Sequence, residues 1–155
     1  MNRNFFRILF IILLLLMYIL IFFFSSQVGD ESSKLSGGIV RKILYSIGLV
    51  DNMEVESVLE IIVRKMAHFS LYFVCGILAM CIMINYDVSN KFRILCSFCI
   101  NLFYSISDEI HQMFVPGRTG KVTDVFIDSL GVICGILIIY VIIKVKEKYK
   151  RNIND

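Results

Sequence analysis

Residues 8–24 form an unbroken run of aliphatic and aromatic side chains, preceded by Arg3 and Arg7. A helix needs about 20 such residues to cross about 30 Å of hydrocarbon, where the backbone must satisfy its own hydrogen bonds. Three further segments approach that requirement, so the spans expected are about 5–24, 65–85, 92–108 and 123–143. The apolar runs are continuous rather than alternating, which argues against a membrane β-barrel. The first run is longer than the apolar core of a usual signal peptide, and no small-x-small site follows it. It therefore reads as a retained first helix. The expected fold class is all-α: an integral membrane bundle of about four transmembrane helices, a single membrane domain over 1–155, with an amphipathic helical segment between helices 1 and 2.

Composition agrees with this reading. Hydrophobic residues make up 57% of the chain, above the about 45–50% of ordinary soluble domains, and the mean hydropathy is +0.76. A net charge of +3, with no basic cluster before the C-terminal stretch, argues against nucleic acid as a partner. The run Lys144, Lys146, Lys148, Lys150, Arg151 reads as a membrane-flanking anchor on the cytoplasmic side. Cys75, Cys81, Cys96, Cys99 and Cys134 all fall in apolar runs. The Cys96/Cys99 spacing has no second pair beside it, so packing rather than metal or redox chemistry is expected.

Residues 25–38 (SSQVGDESSKLSGG) are polar and turn-rich. The stretches IVRKILYSIGL and VESVLEII that follow carry apolar residues at helical spacing. They predict one or two short amphipathic helices lying on the membrane surface. Arg3 and Arg7, then Lys91 and Arg93, then the basic tail fall at alternate ends of the expected helices. The positive-inside rule makes those places cytoplasmic, with both termini inside. The opposite face then carries Asp30, Glu31, Asp51, Glu54, Glu56 and Glu60, but also Lys34, Arg41, Lys42, Arg64, Lys65, Arg118 and Lys121.

That topology brings three polar motifs to one face, the outer one: RKMAH at 64–68, SDEIHQ at 107–112 and PGRTGKVTD at 116–124. Ile94 to Asp108 is a rise of about 21 Å, less than the hydrocarbon thickness. Asp108 and Glu109 are thus expected below the outer surface, with Asp128 about a turn into the fourth helix. A carboxylate at that depth needs a partner or water, and Lys65, His68 and Arg118 are the partners the topology brings to its level. Lys65, His68 and Tyr72 share a helix face by spacing, as do Asp108 and Gln112, and as do Asp124, Asp128, Gly131 and Gly135. Gly131 and Gly135 make a G-x-x-x-G that admits a closely packed helix.

FSSQ at 24–27, RKMAHFSLY at 64–72 and DEIHQMFVPGRTGKVTDVFIDSLG at 108–131 together resemble the VanZ-like family. The resemblance covers about 24–135. It implies a small multi-pass bacterial membrane protein, of a kind that in some members lowers susceptibility to teicoplanin. It transfers an architecture and a phenotype class rather than a reaction. The positions that match are Lys65, His68, Asp108, Glu109, Gln112, Arg118, Asp124 and Asp128.

For chemistry, His68, Asp108 and Glu109 are the candidates for general acid and base. Lys65, Arg118, Gln112, Asp124 and Asp128 are the candidates for binding a polar head, with Arg118 on a tight turn suited to bidentate contact with phosphate or carboxylate. The same residues would equally serve as a structural salt-bridge network. No residue set is assigned as a metal site and no cofactor is required, although a divalent cation is compatible with two carboxylates and a histidine. His111 is expected to point away from the cluster. No G-x-S-x-G, H-E-x-x-H or P-loop is present. The expected partners are the bilayer and a lipid-linked cell-wall precursor or lipoglycopeptide, with no nucleic acid. The expected function is action on envelope lipid or precursor head groups at the outer face of the cell membrane. A membrane enzyme using His68 and acidic residues, and a small transporter or structural subunit, are the alternatives. Transport ranks lowest, because apart from the cysteines and Asn101 the inner half of the helices is almost free of polar residues.

Overall fold

A computed structural model describes residues 3–46 and 53–154, leaving aside the side chains of 29–36, 43 and 154. Asp30, Glu31, Lys34 and Asp51, which entered the charge argument, lie outside the described side chains. Every regular element among the described residues is a helix: α1 Arg3–Ser25, α2 Gly29–Ser46, α3 Met53–Ile84, α4 Asn90–Gln112 and α5 Val122–Asn154.

Three of these helices, α1, α3 and α5, are long and apolar enough to cross a membrane. The fourth expected span, 92–108, lies within α4, which does not meet that measure. The reason is a stripe of polar residues: Ser97, Asn101, Ser105, Asp108 and Gln112 recur every three or four positions and all are buried. Leu95, Ile100, Phe103, Ile106 and Ile110 on the other faces are exposed. The average over the helix hides a two-sided element, polar toward the bundle and apolar outward.

The surface helices also differ from expectation. VESVLEII is not a separate element: it opens α3, which runs for 32 residues, about 48 Å. No proline interrupts it, and Glu54 and Glu56 in its first turn suit the positive end of the helix dipole. The expected span at 65–85 covers the C-terminal part of this longer helix, which ends at Ile84. α5 likewise continues beyond 143 through the basic stretch to Asn154. The one amphipathic element left is α2, which packs on the projecting start of α3. Val40 and Leu44 are buried there, and Arg41 bonds Glu56 at 2.6 Å.

α3 and α5 form the most extensive pairing in the molecule. They run in the same direction, and glycines set their distance. A Cβ on Gly131 would collide with the carbonyl of Phe69, one on Gly135 with that of Phe73, and one on Gly76 with that of Val132. The G-x-x-x-G expectation is met, with a third glycine answering from α3. α1 and α4 run the opposite way. The Tyr18 and Tyr104 rings stack at 3.9 Å, and the Tyr18 hydroxyl donates to Asn101 Oδ1 at 3.0 Å. Around this lies an apolar core that includes Leu14, Ile21, Cys75, Met80 and Val132. The five cysteines are free: Cys75 is buried, Cys81, Cys96 and Cys99 are partly buried and Cys134 is exposed.

The connections fix the ends. Ser89 caps α4, accepting from the Phe92 N–H. Arg3 donates to the Asn85 carbonyl and to Asp87 at 3.0 Å, tying the start of α1 to the α3–α4 turn. At the other end Arg118, in the α4–α5 loop, donates to the Phe24 carbonyl at 2.9 Å. Gly117 in that loop has a φ of 75°, a conformation that side chains resist, and it lets the chain turn after Pro116. α4 therefore covers the same length of the bundle as α1.

Candidate functional site

The three polar motifs do meet at one end, where α1 and α4 finish and α5 begins beside the middle of α3. They are stacked in two levels. In the upper level Lys65 donates to Asp124 at 2.7 Å, with both side chains partly exposed. One turn deeper, His68 Nδ1 lies 3.5 Å from Asp128 Oδ1. That contact is within ion-pair range but is not an aligned hydrogen bond, since neither atom has a hydrogen-bond partner. The i, i+3 step on α3 and the i, i+4 step on α5 register because the two helices are parallel and nearly touching.

Each carboxylate in the deeper level is held by neutral donors. Ser105 donates to Asp128 Oδ2 at 2.7 Å. Ser25 donates to Asp108 Oδ2 at 2.9 Å. The Lys121 backbone N–H donates to Glu109 Oε2 at 2.8 Å. The Gln112 amide lies 3.2 to 3.4 Å from Asp108, Ser25 and Glu109, between the helix ends. Asp108, Glu109, Gln112 and Asp128 are all buried. The Tyr72 hydroxyl, one turn beyond His68 on α3, is buried without a partner.

This corrects the expected pairing. Of the three cations assigned to Asp108, Glu109 and Asp128, only His68 approaches one of them. Lys65 is taken by Asp124, and Arg118 anchors to the α1 carbonyl rather than to an acid. Among the described residues no lysine or arginine forms an ion pair with Asp108, Glu109 or Asp128. His111, as expected, lies off the cluster: its ring stacks on Phe22 at 4.6 Å and its Nε2 is 3.1 Å from Ser26 Oγ.

Two cavities open on the site. A polar one of about 130 Å³ is lined by Arg64, Lys65, His68, Gln112, Arg118 and Asp124, among others. Asp108, Glu109 and Asp128 are not part of its lining and lie behind it. The second, about 560 Å³, is an apolar groove between α1, α2 and α3, walled by Phe24, Ile39, Val63, Ala67, Leu71 and Val74. Arg64, His68 and Arg118 line both. Burial, and next the charge of Arg64, press the Arg118 guanidinium below its ordinary pKa. Asp108 and Glu109 pull in the opposite direction.

Ser25 and Ser105 are the functional neighbours that sequence reasoning placed least well. Ser25 belongs to the FSSQ motif, and the packing of the end of α1 against α4 brings it to Asp108. Ser105 is spaced i, i+3 from Asp108 along α4, a signal that the depth argument for the acids alone did not use.

A family model described as VanZ/LLP1 matches residues 10–144 of the chain. No curated protein and no solved structure shows significant similarity to it.

Proposed function

We propose, on the premise that this chain belongs to the VanZ/LLP1 family, that it binds the anionic head of an envelope lipid or lipid-linked cell-wall precursor. The binding would occur at the outer face of the bacterial cytoplasmic membrane. The observation that carries this reading is that Arg64, His68 and Arg118 line both cavities. An apolar groove of about 560 Å³ suits a hydrocarbon chain, and it ends on the residues that wall a polar cavity of about 130 Å³. A ligand filling both would have an apolar tail and a compact anionic head, which describes a lipid phosphate. Arg118 and Arg64 face the head, with Lys65, Gln112 and Asp124 around it; Asp128 supports His68 from behind.

The same proposal takes α4 as a fourth crossing, with both termini cytoplasmic. Its support is that α4 reaches from the Arg3–Asp87 contact to the Arg118–Phe24 contact, the two ends of α1, and that arginines and lysines flank the Arg3 end. Lowered susceptibility to teicoplanin-type glycopeptides would follow from occupancy or shielding of an outer-leaflet target. The test is teicoplanin susceptibility of a Gram-positive host expressing wild type or Arg118→Ala, with vancomycin as control and membrane abundance measured in parallel. Protection by wild type alone, at equal abundance, supports the reading. Equal protection by both proteins counts against the head-group role of Arg118.

A second reading is acid–base chemistry on the bound head, with Asp108 and Glu109 as the accompanying carboxylates. It is favoured by one observation: His68 lines both cavities while its Nδ1 is buried against Asp128.

A further inference from the structure

Three carboxylates, Asp108, Glu109 and Asp128, sit with 3%, 5% and 0% exposure inside the helical bundle. Burying one carboxylate there is strongly unfavourable unless opposite charge is near. Three together repel one another as well. Among the described residues the only positive partner in ion-pair range is His68, which can supply at most one charge; Arg118 acts on Asp108 and Glu109 only from beyond that range. Serine and amide donors orient these acids but do not cancel their charge.

His68, Glu109 and Asp128 each offer one ligand atom, and these atoms lie within 4.8 Å of one another. They come from three different helices, α3, α4 and α5. The 3.5 Å between His68 Nδ1 and Asp128 Oδ1 is close to the about 3.3 Å between ligand atoms around a tetrahedral Zn²⁺ with bonds of about 2.0–2.1 Å. The rest of the trio needs an inward adjustment of the Glu109 side chain.

We propose that His68, Glu109 and Asp128 bind a divalent metal cation. Beyond the clustering, separate observations point to a ligand. Asp128 Oδ1 is fully buried, lacks a hydrogen-bond partner and is aimed at His68. Its other oxygen is fixed by Ser105. Glu109 Oε2 is oriented by the Lys121 N–H, while Oε1 accepts a longer bond from Gln112. Outer hydrogen bonds of this kind hold ligand carboxylates in place at metal sites. Asp108 Oδ1 and the Tyr72 hydroxyl are also buried and unpartnered, although Asp108 lies outside the 4.8 Å group.

One imidazole and two carboxylates suit borderline cations such as Zn²⁺, Mn²⁺ and Fe²⁺ more than Ca²⁺ or Mg²⁺, which prefer all-oxygen shells. The cation would cross-link three helices at the level where their charges are least tolerated. It would enter through the polar cavity, whose lining includes His68. This assignment does not depend on what occupies the apolar groove. With Nδ1 on a cation the imidazole keeps its Nε2 proton and cannot take up a second one, so this assignment competes with the acid–base reading of His68.

The experiment uses the full chain in lipid nanodiscs, stripped with chelator and titrated with Zn²⁺ and Mn²⁺ by calorimetry, with thermal melting alongside. Co²⁺ absorption and paramagnetically shifted imidazole resonances read the ligand set of wild type directly. The expected result is one equivalent bound, a raised melting temperature and a shifted imidazole signal. Glu109→Gln and Asp128→Asn should each weaken binding at least tenfold. Asp87→Asn, which alters an exposed carboxylate at the far end, should bind as wild type does. Absence of saturable binding by wild type overturns the proposal. So does undiminished binding in both site variants, which would place the ion on exposed acids. If either variant fails to fold, the Co²⁺ spectrum of wild type decides, and a bound ion without imidazole contact overturns the assignment.

Discussion

Ser25 and Asp108 are 83 residues apart in the chain, yet the serine hydroxyl donates to the carboxylate at 2.9 Å with both side chains buried. One hydrogen bond thus joins the end of α1 to the acidic cluster on α4. Asp108 Oδ1 has no partner, so Oδ2 carries the whole of its hydrogen bonding, from Ser25 and Gln112. Ser25→Ala is expected to destabilise the protein by about 1–2 kcal/mol, the scale of hydrogen bonds between membrane helices. Melting of purified protein in nanodiscs measures this, and Ser107→Ala, whose exposed hydroxyl turns to the Tyr104 carbonyl of its own helix, should melt close to wild type.

Glycine at the α3–α5 contact is required by space. Gly131→Ala places a methyl against the Phe69 backbone, and a carbonyl cannot rotate aside as a side chain can. The helices must part, at a cost of about 1–3 kcal/mol, and both Lys65–Asp124 and His68–Asp128 lose their register. Gly38→Ala meets nothing within 4 Å and lies inside α2, where alanine should stabilise by about 0.5–1 kcal/mol. Opposite shifts in melting temperature for these two changes are the expected outcome.

Lys65 and Asp124 form the shortest ion pair of the site, but 37% and 27% of their side chains remain exposed. Their coupling energy in a double-mutant cycle with Lys65→Met and Asp124→Asn is expected to be about 0.2–1 kcal/mol, as for other solvent-reached pairs. A value several times larger would mean that the upper level is drier than this exposure implies.

Arg118 bears on binding as well as on the loop. Arg118→Ala should weaken retention of an anionic lipid about tenfold to hundredfold, the loss expected of one charged hydrogen-bonding partner. Arg118→Lys keeps the charge without the fork and should fall between. Native mass spectrometry with phosphatidylglycerol against a zwitterionic lipid reads both variants.

The crossing of α4 is open to a direct test. Thr119→Cys and Asp87→Cys mark the two ends of the helix, in exposed loops. With an impermeant thiol reagent on intact cells, position 119 should label at once and position 87 only after permeabilisation. Labelling of both from outside would remove α4 as a crossing and with it the inward placement of the termini.

Long apolar stretches made the helices legible in the sequence, because a run such as 8–24 has one stable form in lipid. The spacing of Lys65 with His68, and of Asp124 with Asp128, Gly131 and Gly135, placed the right residues on common faces. That followed from helical periodicity alone. The extent of α3 was not legible in the same way. Glu54, Glu56 and Glu60 among apolar neighbours suit a surface helix as well as the projecting start of a longer one, and packing against α2 selects the second. Nor does spacing within one helix say which helices touch. Parallel contact of α3 and α5 gives Asp124 to Lys65 and leaves Asp128 with His68, while Arg118 goes to a carbonyl of α1. The acidic centre depends on contacts between residues far apart in the chain, so periodicity could nominate its members but only the packed bundle could pair them.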